Sequence, residues 1–520
     1  MSEHDPASKQ LVPLPPLEPA HRRSPASMAR TRTLLRYGER AMVRAADAGQ
    51  VRGNTARLLI DGPAAFGSWL RAIAAAERWV HLENYIVRDD RTGREFRDLL
   101  CEKARQGVPV RLLYDWLGCW ATPRRFWKPL REAGVEVRAF APPSLHDPLA
   151  FLRRDHRKVV AVDGDYASVT GMCIGDEWAG DPERGVAPWR DTGVEFRGPV
   201  AAVIDRAFAR TWAVAGGRLD AGEVPDPERV ERPGDVSVRV VEGEPARSRI
   251  YRMLQLVAVG VEQRLWITDP YFVLPPSLAE ALASAARDGV DVRVIVPAFN
   301  NWPVVGGMSR AGYRPLLEAG VRLFEWEGPM IHAKTAVADG VWSRVGSSNM
   351  NLASFMGNWE IDVAVLDRGF AAEMEDLFLR DLEASVEITL ARPTGDGKPA
   401  RERRATERLV VEHPGDQAKP GRLSARERRK KSFRGSNIGR TIGRMARAAS
   451  VLAGALRGQR MIGREDRGWV VALAVLLVGV SAAGIWAPRV LAWPISFLLF
   501  WLAIVSLVRA GTRAKPGDSG

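Results

Sequence analysis

Cysteine is nearly absent from this chain: three in 520 residues, Cys101, Cys119 and Cys173. So few thiols exclude a disulfide framework, and their spacing excludes a paired-thiolate metal site, which suits a reducing compartment. Histidine is scarce too, at seven. No cluster of His, Cys and carboxylate residues has metal-ligand spacing, so neither metal nor cofactor is expected. The chain opens without an apolar stretch; residues 1–35 are polar and proline-rich, which excludes a secretory signal there and predicts a disordered arm.

Excess charge is missing from most of the sequence. The formal net charge is +13, but Lys398 to Arg467 holds 20 of the 75 basic residues and only 7 of the 62 acidic ones, leaving 55 of each elsewhere. A nucleic-acid enzyme spreads basic charge over its catalytic body, so no nucleic-acid partner is expected. A basic segment beside an apolar tail points instead to an anionic membrane surface. Within it Ile438, Ile442, Met445, Ala449, Leu452 and Leu456 recur at steps of four and three, as in an interfacial amphipathic helix.

Charge is absent altogether from Trp469–Ala487 and Val490–Val508, two runs of 19 residues separated by Pro488 and Arg489. Each is long enough to span a bilayer, so the pair predicts a transmembrane helical hairpin. A buried hairpin packed on the globular part is the alternative. Arg464 and Arg467 precede the hairpin and Arg509, Arg513 and Lys515 follow it, which puts both ends and the catalytic body in the cytoplasm.

What the chain does have is a repeat. His156-Arg157-Lys158 with Asp163 recurs as His332-Ala333-Lys334 with Asp339, and the second copy runs on to Gly346-Ser347-Ser348-Asn349. Around each copy the same order of elements appears. An apolar strand (Trp79–Val87 or Leu265–Val273) leads to a helix (Glu95–Arg105 or Ser277–Arg287), then to a strand after glycine (Gly107–Leu113 or Gly289–Ile295). Each half then delivers its motif on a strand, Val159–Val162 or Thr335–Ala338, turning at Asp-Gly. The expected fold is α/β: two sandwich lobes related by a pseudo-twofold, 36–217 and 218–392, then a basic linker with the amphipathic helix, 393–468, and the hairpin, 469–510. The first lobe carries about ten extra residues around Pro142 to Arg154, expected as a loop over the cleft.

Two imidazoles and two ammoniums suit phosphodiester chemistry: one ring attacks phosphorus, the other protonates the leaving oxygen, and the lysines hold the phosphate charge. Asp163 and Asp339, at strand-turn corners, read as structural as readily as chemical. Of the other histidines, His81, His146 and His413 read as packing or exposed residues.

At these residues the sequence resembles the phospholipase D superfamily, whose signature is His-x-Lys-x4-Asp followed by Gly-Ser-x-Asn. More narrowly it resembles bacterial cardiolipin synthases, through Glu83-Asn84-Tyr85-Ile86, Arg88-Asp89-Asp90, Leu113 to Gly118, Gly175-Asp176-Glu177-Trp178 and Trp189-Arg190-Asp191. The resemblance implies a phosphatidyltransferase in a bacterial inner membrane, working through a phosphohistidine. His156 and His332 would share the nucleophile and acid/base roles, with His156 taken as nucleophile by analogy. Lys158 and Lys334 would neutralise phosphate, and Ser347 and Asn349 would donate to it. Glu360, eleven residues after Asn349, and Asp191 would each hold a histidine. The expected lipids are phosphatidylglycerol, as donor and acceptor, and phosphatidylethanolamine as another second lipid. A hydrolase, a phosphatidyltransferase with another acceptor, and a catalytically silent membrane scaffold are the rivals. One departure favours the last: after the first motif stands Thr170-Gly171-Met172-Cys173, where relatives have Gly-Gly-x-Asn or Gly-Ser-x-Asn.

Overall fold

The computed structural model describes residues 38–143 and 153–390. The N-terminal arm, most of the loop at Pro142–Arg154, the basic amphipathic segment and the apolar hairpin lie outside those residues. Among the described residues no helix is long and apolar enough to cross a membrane.

The first half supplies strands β1 (Val51–Ile60), β2 (Val80–Asn84), β3 (Val110–Asp115), β4 (Glu136–Phe140), β5 (Arg154–Asp155), β6 (Lys158–Val162), β7 (Tyr166–Thr170) and β8 (Thr192–Arg197). The second supplies β9 (Val236–Gly243), β10 (Arg264–Thr268), β11 (Asp291–Pro297), β12 (Arg322–Trp326), β13 (Thr335–Ala338), β14 (Trp342–Gly346), β15 (Asn358–Leu366) and β16 (Ser385–Ile388). Apart from β16 at one edge and β5, which pairs with β15 off this path, their order is β12-β11-β10-β13-β14-β15-β9-β1-β8-β7-β6-β2-β3-β4. It reads the same from either end once the lobes are exchanged, so the repeat in sequence is a twofold in topology. The lobes meet where β1 and β9 pair antiparallel, Val51 opposite Val238.

Valine, isoleucine and alanine dominate these strands because both faces are covered. One face of each lobe's sheet packs under its own helices. The other faces join in a shared core, with Val159, Ala161, Val169 and Phe196 from the first half against Val337, Val345, Ile361 and Val363 from the second. The helix Arg91–Arg105 starts where Asp90 accepts the Gly93 amide. The helix Pro276–Arg287 starts with proline, whose missing N–H costs nothing in a first turn.

Within each lobe β2 and β3, or β10 and β11, are parallel, and β6 or β13 runs antiparallel beside them. The carboxyl ends of the parallel strands and the amino end of the motif strand therefore share one edge. Both histidines lie at that edge, just before their strands.

Candidate active site

Each histidine is placed by backbone pairing with the opposite lobe. The short strand β5 runs parallel to β15, and the His156 amide donates to the Trp359 carbonyl at 2.8 Å. In the mirrored arrangement Arg190 bridges Ile331, and the His332 amide donates to the Arg190 carbonyl at 2.7 Å. The residue after each of those carbonyls is a carboxylate. Glu360 Oε2 stands 3.0 Å from His156 Nδ1, and Asp191 Oδ2 stands 2.8 Å from His332 Nδ1. Each lobe's imidazole is thus held by the other lobe's acid, an exchange the sequence pattern did not reveal. A carboxylate on Nδ1 leaves Nε2 of each ring as the reactive nitrogen.

The lysines lie under the rings. Lys158 Nζ donates to the His156 carbonyl, while Lys334 Nζ reaches the His332 carbonyl at 2.5 Å and lies 2.9 and 3.0 Å from the two ring nitrogens. Both lysines are fully buried. Burial is the largest influence on the His332 ring and, with the Lys334 and Lys158 charges, holds its pKa down to about 3 against the pull of Asp191. His156 is lowered as well, by burial first and then by Lys158 and Lys334, with Glu360 opposing. Both ammoniums therefore act on both rings, which makes one electropositive site rather than two. The Lys334 amine is itself pushed down to about 8, chiefly by burial. Burial is the largest influence on the Glu360 and Asp191 carboxyls and raises them, but the histidine beside each, with Lys158 and Ser347 at Glu360 and Lys334 and the Thr192 amide at Asp191, leaves both below the ordinary range.

Other motif residues are placed differently from expectation. Ser347 Oγ donates to Glu360 Oε2 at 2.6 Å and accepts from the Ile361 amide at 2.9 Å, so its hydroxyl orients the acid rather than facing open space. Asn349 is buried, and its Oδ1 has no hydrogen-bond partner among the described residues. Asp163 and Asp339 do not join the histidines. Each sits at positive φ, 55° and 49°, in the turn after its motif strand. Asp163 accepts the amides of Glu77, Arg78 and Trp79 at 2.9, 2.8 and 2.8 Å. Asp339 does the same for Glu262, Gln263 and Arg264 at 2.9, 2.8 and 2.9 Å. Both carboxylates are spent on the loop entering β2 or β10, at the strand end remote from the rings. Of the two readings the sequence leaves open for these aspartates, these contacts support the structural one.

The first motif's departure also has a structural account. Position 171 is the topological partner of Ser347, and a Cβ there would lie 2.5 Å from Asp191 Oδ1. Asp191 occupies that space and takes its further hydrogen bonds from Trp178 Nε1 at 3.3 Å and the Thr192 amide at 2.8 Å. Cys173, at the place of Asn349, is a buried thiol whose pKa burial pushes up.

Sequence reasoning missed four residues. Tyr85 meets the His156 ring edge-on at 4.8 Å between centroids, and Tyr271 meets His332 at 5.9 Å. A tyrosine ending each first strand was the available signal. Arg157 and Arg190 are buried beside the catalytic candidates. Arg157 binds Thr211 Oγ1 at 2.8 Å, and Arg190 grips Asp381 with two bonds of 2.8 and 2.9 Å.

Residues 260–382 match the family model described as "Cardiolipin synthase, PLD-like domain". Cardiolipin synthase A of Pseudomonas aeruginosa (strain LESB58) is 35% identical over 355 residues, 68% of this chain and 72% of that protein. Cardiolipin synthase of Geobacillus sp. (strain WCH70) is 33% identical over 338 residues, 64% of this chain and 67% of that one. The fold is shared with phosphatidylserine synthase of Haemophilus influenzae Rd KW20, at a TM-score of 0.53 and 14% identity, over 68% of this chain and 92% of that one. Paired lobes that exchange carboxylates across a His/Lys centre thus define a phosphatidyltransferase of the phospholipase D superfamily. Within that class, identity over two thirds of both partners is decisive: the chain belongs to the cardiolipin synthase family.

Proposed function

We propose that this enzyme makes cardiolipin from two molecules of phosphatidylglycerol through a phosphohistidine. Nε2 of His156 attacks phosphorus, the bond from phosphorus to the headgroup glycerol breaks, and His332 gives the departing oxygen its proton. The glycerol hydroxyl of a second phosphatidylglycerol then loses its proton to His332 and attacks phosphorus, releasing His156. Lys158 and Lys334 carry the phosphate charge throughout, and Glu360 and Asp191 hold the rings and stabilise imidazolium.

The observation that carries this reading is that each ring is held by the opposite lobe's acid while both lysines act on both rings. Two interchangeable imidazoles around one anion is what double displacement needs. In the free enzyme the lysines oppose ring protonation; a bound phosphodiester offsets their charge and lets the acid ring protonate. Phosphatidylethanolamine fits the same chemistry as the phosphatidyl donor, with ethanolamine leaving in place of glycerol and phosphatidylglycerol as acceptor. We assign the enzyme to the bacterial inner membrane, anchored by its C-terminal apolar runs, with the body cytoplasmic.

The opposite assignment, His332 as nucleophile, draws on its own depressed pKa of about 3, since a nucleophilic ring must be neutral. One experiment tests both. Membranes carrying the full chain receive labelled phosphatidylglycerol, with His332→Ala and His156→Ala beside the parent. Cardiolipin and free glycerol from the parent are expected, with a trapped phosphoryl adduct on His156 in the His332→Ala protein. An adduct on His332 alone reverses the roles, and phosphatidic acid as sole product replaces the synthase with a hydrolase.

A further inference from the structure

Trp120 and Trp302 are 75% and 62% exposed, and Phe299 is 67% exposed. Indole rings in water are uncommon, because a tryptophan side chain carries a large apolar area. These stand at corresponding places. Leu113 pairs with Glu83 in β3 as Ile295 pairs with Thr268 in β11, and Trp120 and Trp302 each follow seven residues later. Both lobes thus carry the same exposed ring on the loop leaving the same strand end, at the edge where the histidines sit.

Each loop is tied to the tyrosine against its lobe's histidine. Gly118 packs so closely on Tyr85 that a Cβ there would lie 2.0 Å from the Tyr85 carbonyl oxygen. In the second lobe the Tyr271 hydroxyl donates to Asn301 Oδ1 at 2.8 Å, and Asn300 accepts the Trp302 amide at 2.8 Å. Charge follows the same pattern. Residues 116–128 contain Arg124, Arg125 and Lys128, residues 298–314 contain Arg310 and Arg314, and neither segment contains an acidic residue. Four of them pair with acids outside these segments, Arg125 with Asp89 at 3.6 Å, Lys128 with Glu132 at 3.6 Å, Arg314 with Glu318 at 2.8 Å and Arg310 with Glu325 at 2.9 Å, and the first three side chains stay 82%, 74% and 70% exposed.

We propose that the two loops are paired prongs that seat the catalytic edge on an anionic phospholipid bilayer. Trp120, Phe299 and Trp302 enter the headgroup boundary and the exposed Arg124, Arg125, Lys128 and Arg314 face lipid phosphate, as aromatic and basic residues do at membrane interfaces. The twofold sets one prong on each side of the shared site, so lipid headgroups reach phosphorus-bonding distance by lateral motion without leaving the membrane. The proposal rests on bilayer phospholipids being the substrates, and it goes further by fixing which edge of the body faces them.

The test uses the full-length chain in phosphatidylglycerol-containing vesicles, nitroxide-labelled at Ala121→Cys, Phe299→Cys or, at the opposite end of β3, Gln106→Cys. The prongs should be more accessible to oxygen than to a water-soluble nickel chelate, and the Gln106 position the reverse. Water-like accessibility at all three positions overturns the proposal. So does spin–spin broadening between prong labels without oxygen accessibility, which would assign the loops to a second copy of the chain. Depth is read independently of product, so this result stands apart from whether cardiolipin is made. As a second measurement, Trp120→Ala/Trp302→Ala should lower turnover of vesicle lipid at least tenfold while turnover of monomeric dihexanoyl phosphatidylglycerol stays within twofold. Equal loss on both substrates, or no loss on vesicles, overturns it.

Discussion

Replacing Asp163 by alanine should unfold the enzyme more easily without slowing its chemistry. The carboxylate takes three backbone amides; those of Glu77 and Arg78 are solvent-exposed and that of Trp79 is partly buried. Water replaces the acid at the first two for about 0.5 kcal/mol each, and the third loses roughly 1–2 kcal/mol as a donor left without a partner. Alanine at a φ of 55° adds about 1 kcal/mol of backbone strain. The total, about 3 kcal/mol, corresponds to a melting temperature roughly 4 °C lower in a body of this size. Asp163→Asn, which tolerates positive φ and keeps one acceptor oxygen, should lose about half as much. The assay is thermal unfolding of the detergent-solubilised chain, paired with turnover per folded molecule on labelled phosphatidylglycerol. An Asp163→Ala enzyme that melts like the parent yet turns over a hundredfold more slowly would refute the reasoning and return Asp163 to the catalytic site.

Replacing Glu360 by glutamine, or Asp191 by asparagine, should cut turnover roughly a thousandfold with little change in melting temperature, because the ring loses its orienting acid but keeps its packing; steady-state kinetics beside calorimetry checks this. Arg190→Ala strands the buried Asp381 carboxylate and should cost about 3–5 kcal/mol in denaturant unfolding, and lysine, unable to make both bonds, should recover only part of it. Burial holds His332 at about 3, below its ordinary 6.5, so on acidification the unfolded chain takes up that proton first. The stability tied to its neutral ring is present above pH 6.5 and lost as pH falls towards 3, so His332→Gln should show a shallower decline than the parent when melting temperatures are compared over that window.

Much of this fold was legible because periodicity and punctuation agreed. Valine-rich runs after Gly107 and Gly289 became β3 and β11, and each Asp-Gly pair turned with positive φ at both residues. The recurrence of one motif announced two lobes. The exchange of acids was not legible, because spacing along a chain says nothing about which lobe a carboxylate faces. Glu360 lies eleven residues beyond Asn349 in its own lobe, yet it serves His156 because β15 pairs with β5 across the seam. The place of the aspartates was not legible for a related reason: a motif groups residues by sequence, while a strand carries its two ends apart. His156 and Asp163 bracket β6, so a full strand length separates the ring from the turn.

Thr170-Gly171-Met172-Cys173 looks in sequence like a decayed copy of Gly346-Ser347-Ser348-Asn349, and geometry argues otherwise. Ser347 gives Glu360 a second hydrogen bond beside that of His156. In the first lobe the acid is aspartate, one methylene shorter, and it lies against the bare Cα of Gly171, taking its second side-chain bond from Trp178. A longer acid goes with serine and a shorter acid with glycine and an indole; both arrangements leave one carboxylate oxygen on Nδ1 of a histidine. Installing the second motif's serine in the first should therefore harm this enzyme. A serine Cβ at position 171 would stand 2.5 Å from Asp191 Oδ1, closer than any contact allows, so Gly171→Ser must displace the acid that holds His332. Turnover should fall at least tenfold, and pairing the change with Asp191→Asn should add little to the loss from Asp191→Asn alone, since both act through one bond. Gly171→Ser raising turnover would mean that the first lobe is a weakened copy of the second after all.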